Sequence, residues 1–155
     1  MAGVIEKFAF LFATGFYTGL WPLKGPATVA SFVSVIIFFF LSNIFLNDIY
    51  LLLVIIVFII VGTWSSDFTA TENDKDPSKV VIDEWVGMWI TLLFLPNSFA
   101  WFIVGFLVFR YLDIFKPFGI KKFERIPGGL GIMMDDIAAG IFGCIVLNLI
   151  NIFVK

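Results

Sequence analysis

Histidine is absent from this chain, and cysteine occurs once. The first absence removes imidazole as nucleophile, general base and metal ligand. The second rules out an intrachain disulfide. Cys144 lies in the apolar run GIFGCIVLNLI, with no basic neighbour to activate its thiol, and reads as a packing residue. Charge is also scarce: 14% of residues are charged and 61% hydrophobic, against about 25% and 45–50% in a soluble domain. The mean hydropathy of +1.05 points the same way. A formal net charge of −2 offers nothing to a nucleic acid, so none is expected as a partner. Nothing in the sequence speaks to oligomeric state.

What is present is long apolar sequence, and it predicts an all-α, polytopic membrane helical bundle formed by a single domain over residues 1–155. Five segments can span: about 27–46, 49–64, 80–95, 99–115 and 132–154. The third is short and could be tilted or partly sunk in the bundle. The N-terminal run from Phe8 to Trp21 is broken by Gly15 and Gly19, ended by Pro22, and too short to cross. It lacks the positive start and small-residue cleavage site of a signal peptide, so it is read as an interfacial or re-entrant segment of the mature protein. No internal repeat is visible.

Orientation follows from the basic residues. Five spans put the N-terminus, the 65–79 loop and the 116–131 loop on one side. Lys7, Lys24, Lys75, Lys79, Lys116, Lys121, Lys122 and Arg125 lie there, with Arg110 close by. Only Lys155 lies opposite, a bias of nine to one. The loops and N-terminus are therefore expected in the cytoplasm.

This topology gathers five acids. Asp83 and Glu84 begin the third span, Asp113 ends the fourth, and Asp135 and Asp136 begin the fifth. Acids within lipid-facing sequence are expensive and point to function. Five like charges at one depth require a cation among them. A carboxylate set without histidine or a usable thiolate suits Mg²⁺ or Mn²⁺. Asp83 lies four residues before Gly87, and Asp136 four before Gly140, so each acid rides a small-residue stripe that favours close helix packing.

Basic groups stand beside the acids. Arg110, Asp113 and Lys116 are spaced by three on one helix face. An Arg–Asp pair at that spacing is usually a local ion pair; beside a candidate metal cluster the alternative is a phosphate clamp. In RIPGGLGIMMDD, the glycines around Gly129 offer backbone N–H groups to an anion at a helix start. Together these features point to a phosphorylated lipid.

The stretches DPSKVVIDEWVGMWIT, FRYLDIFKPFGI and GGLGIMMDDIAAG resemble, in order and spacing, the signatures of the phosphatidylglycerophosphatase A family, over about residues 19–143. The resemblance implies a Mg²⁺-dependent phosphatase of the bacterial inner membrane. Such an enzyme converts phosphatidylglycerophosphate to phosphatidylglycerol, with its active site cytoplasmic. Carried over, Asp83, Glu84, Asp113, Asp135 and Asp136 match the family's acidic positions, taken as both catalytic and metal-binding. Arg110 and Lys116 match its basic ones, and Asp76 the acid opening the third-span motif. PATVAS departs from the family's glycine-containing pattern, with Ala27 and Ala30 in place of glycines, while Thr28 and Ser31 still match. Thr28 and Gly129 join the expected phosphate contacts.

Rival chemistries fit less well. A histidine phosphatase has no nucleophile here, and a cysteine phosphatase none outside an apolar helix. NDKDPS has the D-x-D spacing of an aspartyl-phosphate enzyme but lies in a polar loop. A CDP-alcohol phosphotransferase would show D-x₂-D-G-x₂-A-R, which DDIAAG does not. A cation carrier would place its acids near the midplane, commonly in repeated halves. Metal-assisted hydrolysis remains, with water or one carboxylate as nucleophile.

Overall fold

In a computed structural model, which describes residues 2–154, the chain is helical, with no strand among the described residues. Six α-helices follow one another: α1 Ala2–Ala13, α2 Pro26–Ile44, α3 Asp48–Thr69, α4 Ile82–Leu92, α5 Phe99–Phe115 and α6 Gly129–Val154. Short 3₁₀ segments cover Thr18–Leu20 and Pro117–Arg125. Local chemistry sets several boundaries. Pro26 opens α2, where its missing N–H costs nothing. The Asn47 side chain accepts the Ile49 N–H at 2.9 Å to start α3. Lys116 ends α5 at φ 43 before Pro117, which cannot continue the helix.

The burial pattern is that of a bundle set in lipid. Phe32, Phe40, Ile60, Leu107 and Ile152 face outward, while Ser31, Ser34, Ser65, Ser66, Thr91 and Asn151 are buried. Three helices, α2, α3 and α6, are long and apolar enough to cross a bilayer. At 17 residues α5 is about 26 Å long, a little short of a hydrocarbon core of about 30 Å. Its bounds coincide with those expected from sequence.

The segment expected as the third span takes a different form. Helix α4 has 11 residues, about 16 Å of length. All but Ile90 among them are buried, because α4 is enclosed by α2, α3, α5 and α6. It is the centre of the bundle rather than one of its lipid-facing staves. The Trp89 indole N–H donates to the Ser34 carbonyl at 2.9 Å, tying it to α2. Its entrance is fixed by the N-terminal segment, where the Val81 N–H donates to the Ala13 carbonyl at 2.9 Å.

Helix α3 also runs further than expected, to Thr69 rather than Trp64. Ser65 and Ser66 look like the start of a loop, but both are buried, and the Ser65 hydroxyl bonds back to Gly62 at 3.1 Å. Polar residues that point into the bundle do not end a helix. Helix α1, 12 residues long, is too short to span and packs along α3.

Candidate active site

The α4–α6 seam brings the acids together. A Cβ on Gly87 would stand 2.5 Å from the Phe109 ring and 2.7 Å from the Asp136 carbonyl. One on Gly140 would stand 2.5 Å from the Gly87 carbonyl. Only hydrogen fits at both positions, so the two backbones touch. The acids lie one turn before each glycine, so the seam that removes space also faces the carboxylates toward one another.

Asp83, Glu84 and Asp136 form the core of the site. Each offers a carboxylate oxygen within 4.8 Å of the others, and all three residues are buried. Asp83 Oδ1 and Glu84 Oε2 have no hydrogen-bond partner among the described residues. Buried carboxylate oxygens are expensive to leave unmatched. An oxygen-only donor set of this size fits a hard divalent cation. The cluster can hold a metal ion.

The other two expected acids are placed differently. Asp113 is held by the Arg110 guanidinium at 2.5 Å, and Asp135 by the Lys116 ammonium. The expected cationic pair is thus present, with each member already bonded to one acid. Arg110 reaches further, to the Thr28 hydroxyl at 3.2 Å and the Ser31 hydroxyl at 3.5 Å on α2. Thr28 therefore joins the site through Arg110. The left-handed backbone at Lys116 turns the chain out of α5 at the residue whose ammonium meets α6.

Gly129 departs from its expected role. Its N–H donates to Asp67 Oδ1 at 2.9 Å, so this amide is already matched to an anion from α3. The fit is close: a Cβ on Gly128, which has φ 76, would lie 2.6 Å from the same oxygen. Sequence reading missed Asp67, since nothing within its own polar stretch distinguishes it from Asp74 or Glu72. Its partner lies 62 residues away, and only the α3–α6 contact reveals it.

Asp76, expected as a supporting acid, is exposed on the loop after α3. With Asp135 it lines a cavity of about 490 Å³, walled by residues 67–76 and 125–132. This cavity opens beside the Lys116–Asp135 pair.

Fold and site together define a helical membrane protein whose interior can hold a metal ion beneath an arginine and a lysine. Sequence comparison makes that class particular. The family model for phosphatidylglycerophosphatase A matches residues 11–151, and the chain belongs to that family. It is 40% identical over 144 residues to the phosphatidylglycerophosphatase A of Escherichia coli K12, covering 91% of this chain and 82% of that one. It is 34% identical over 139 residues to the Haemophilus influenzae protein of the same name, covering 88% and 85%. A Bacteroides thetaiotaomicron protein named "Putative phosphatidylinositol-3-phosphatase" is 37% identical over 145 residues, covering 88% and 89%. No solved structure matches the chain.

Proposed function

We propose that this chain is a Mg²⁺-dependent phosphatase that hydrolyses phosphatidylglycerophosphate to phosphatidylglycerol and inorganic phosphate in phospholipid synthesis. It acts as one membrane-embedded domain at the cytoplasmic face of the bacterial inner membrane. Family membership supports the hydrolase activity. The observation that carries the mechanism is the triad Asp83, Glu84 and Asp136, buried together with no cation bonded to it among the described residues.

In this reading the triad holds Mg²⁺, with Asp113 and Asp135 completing the acidic ring. A bound divalent ion supplies positive charge to the phosphoryl oxygens and makes a bound water more acidic. The chain's own groups do the rest. In this reading Lys116 and Arg110 meet the negative charge that builds on the transferring group; what supports it is that each is oriented by the carboxylate it already bonds. Thr28 and Ser31 hold the guanidinium fork in place. The P–O bond to the glycerol carbon's oxygen breaks as water attacks phosphorus, or as one carboxylate attacks to give an acyl phosphate that water then hydrolyses. Phosphatidylglycerol leaves as the alcohol, and water supplies its proton and the new oxygen of inorganic phosphate.

The nine-to-one basic bias supports a cytoplasmic site. Five membrane segments, with α4 sunk at the centre and α1 lying at the interface or re-entering, accommodate that orientation. The test is phosphate release by purified protein in detergent, with Mg²⁺ and with chelator. Phosphatidylglycerophosphate, phosphatidic acid and phosphatidylinositol 3-phosphate are compared. Rapid Mg²⁺-dependent release from the first is expected. Equal or faster release from the inositol lipid would move the reading to that head group.

A further inference from the structure

The cavity beside Asp135 meets the chemistry above only at that residue. At about 490 Å³ it falls within the range of small-ligand pockets. Among the described residues, four acids and two cations line it: Asp67, Glu72, Asp76 and Asp135, with Lys75 and Arg125. Asp67 is engaged by the Gly129 N–H and Asp135 by Lys116, and Asp76 is not free either. Arg125 and Lys75 make no hydrogen bond or ion pair to any other described residue. Two uncommitted cations thus face a cavity bordering the carboxylate cluster. The Gly129 amide at the start of α6 is already taken by Asp67.

The cavity is also placed for a lipid. Trp64 and Phe68 on the last turns of α3, and Leu130 on the first turn of α6, are exposed apolar side chains, close in sequence to the wall residues Asp67, Gly128 and Gly131. A phospholipid lying against that edge brings its polar head to the cavity mouth. The proposed substrate carries two phosphates, a terminal monoester and an inner diester separated by one glycerol. If the monoester occupies the carboxylate cluster, the inner diester lies a glycerol's length away.

Resting on the proposed function, we infer that this cavity is a second anion subsite, in which Arg125, assisted by Lys75, receives the inner phosphodiester of the lipid head group. Arg125 is then a specificity-determining residue, outside the reacting centre. Its guanidinium suits a diester, which offers two non-bridging oxygens to a forked donor.

Two competitive inhibitors separate the subsites. Phosphatidylglycerol keeps the inner diester and lacks the monoester, whereas phosphatidic acid carries only a monoester. Inhibition constants are measured in mixed micelles against phosphatidylglycerophosphate hydrolysis, for wild type, Arg125→Gln, Arg125→Lys and Lys75→Gln. Arg125 is exposed and makes no side-chain bond to any other described residue, so its variants should fold. Arg125→Gln is expected to weaken phosphatidylglycerol about ten-fold, the scale of one charge-assisted hydrogen bond, while phosphatidic acid shifts less than about two-fold. KM for the substrate should rise with little change in kcat. Arg125→Lys should recover part of the loss, and Lys75→Gln should give a smaller shift of the same pattern. Equal weakening of both inhibitors, or an unchanged phosphatidylglycerol constant, overturns the subsite. Failure of the wild type to hydrolyse phosphatidylglycerophosphate would instead remove the function on which it rests.

Discussion

Five acids meet at one end of this bundle in two different electrostatic settings. Asp113 and Asp135 each have a cation within bonding distance supplied by α5. Asp83, Glu84 and Asp136 have none bonded among the described residues and are buried all the same. The chain supplies a cation to two of the acids and, among the described residues, none to the other three, a set that can hold a metal ion. The paired acids hold Lys116 and Arg110 in place, and in the proposed reading the inner triad is what calls for a metal. Burial of like charges without a partner is costly enough that the triad is expected to be the least stable part of the metal-free protein.

That contrast is broken most severely at the triad. Asp83→Asn and Asp136→Asn should each reduce phosphate release to background while the protein still inserts and purifies. Without Mg²⁺ their melting temperatures should equal or exceed that of wild type, since one like charge has gone. A variant that is inactive and also destabilised in the absence of metal would place that acid among structural groups. Glu84→Gln belongs in the same series, and Glu84 lies about 100° around the helix from Asp83. If it serves as a base rather than a ligand, activity falls while Mg²⁺ dependence stays unchanged.

The outer pairs should respond more mildly. Lys116→Ala is expected to cost about 10²–10³-fold in kcat/KM, as for loss of one electrostatic donor to the transferring group. Arg110→Lys keeps the charge and loses the fork that reaches Asp113, Thr28 and Ser31 together. A loss of about ten-fold in kcat/KM is expected, the size of one charge-assisted hydrogen bond. Full activity in Arg110→Lys would reduce Arg110 to a holder of Asp113.

A smaller effect should appear in the scaffold beneath both sets. Gly140→Ala forces a methyl against the Gly87 carbonyl and should destabilise by about 1–3 kcal/mol, as overpacking does. Thermal unfolding measures it, and an unchanged melting temperature would mean that the seam yields easily. Asp67 sets the lower end of the scale. Asp67→Asn retains an oxygen for the Gly129 N–H and should alter melting and activity little. Asp67→Ala removes that acceptor and should lower the melting temperature, by the amount typical of about 1 kcal/mol for a lost helix cap.

Much of this arrangement is legible in the sequence because membrane topology is a strong constraint. Apolar runs and turn residues placed α5 at its observed bounds, and the alternation of spans brought Asp83, Glu84 and Asp136 to one end. The glycines four residues after Asp83 and Asp136 foretold the close seam. The misses share a cause: hydropathy registers that a residue is polar and says nothing about which way it points. Ser65 and Ser66 read as a loop although they face the interior, so α3 was cut short. Helix α4 is a partial case: its apolar surface is the same whether lipid or protein covers it, but its shortness already allowed a place sunk in the bundle. The pairing of Gly129 with Asp67, and the division of five acids into two paired and three unpaired, depend on contacts between helices distant in sequence.

The account rests on the claim that the inner triad is built to hold a divalent cation. The direct measurement is the shift in melting temperature of the purified protein on titration with Mg²⁺, without substrate, for wild type, Asp136→Asn and Arg110→Lys. The account predicts a saturable rise for wild type, a comparable rise for Arg110→Lys, and none for Asp136→Asn. A rise of equal size in Asp136→Asn, or no rise in wild type at concentrations that support activity, would contradict it.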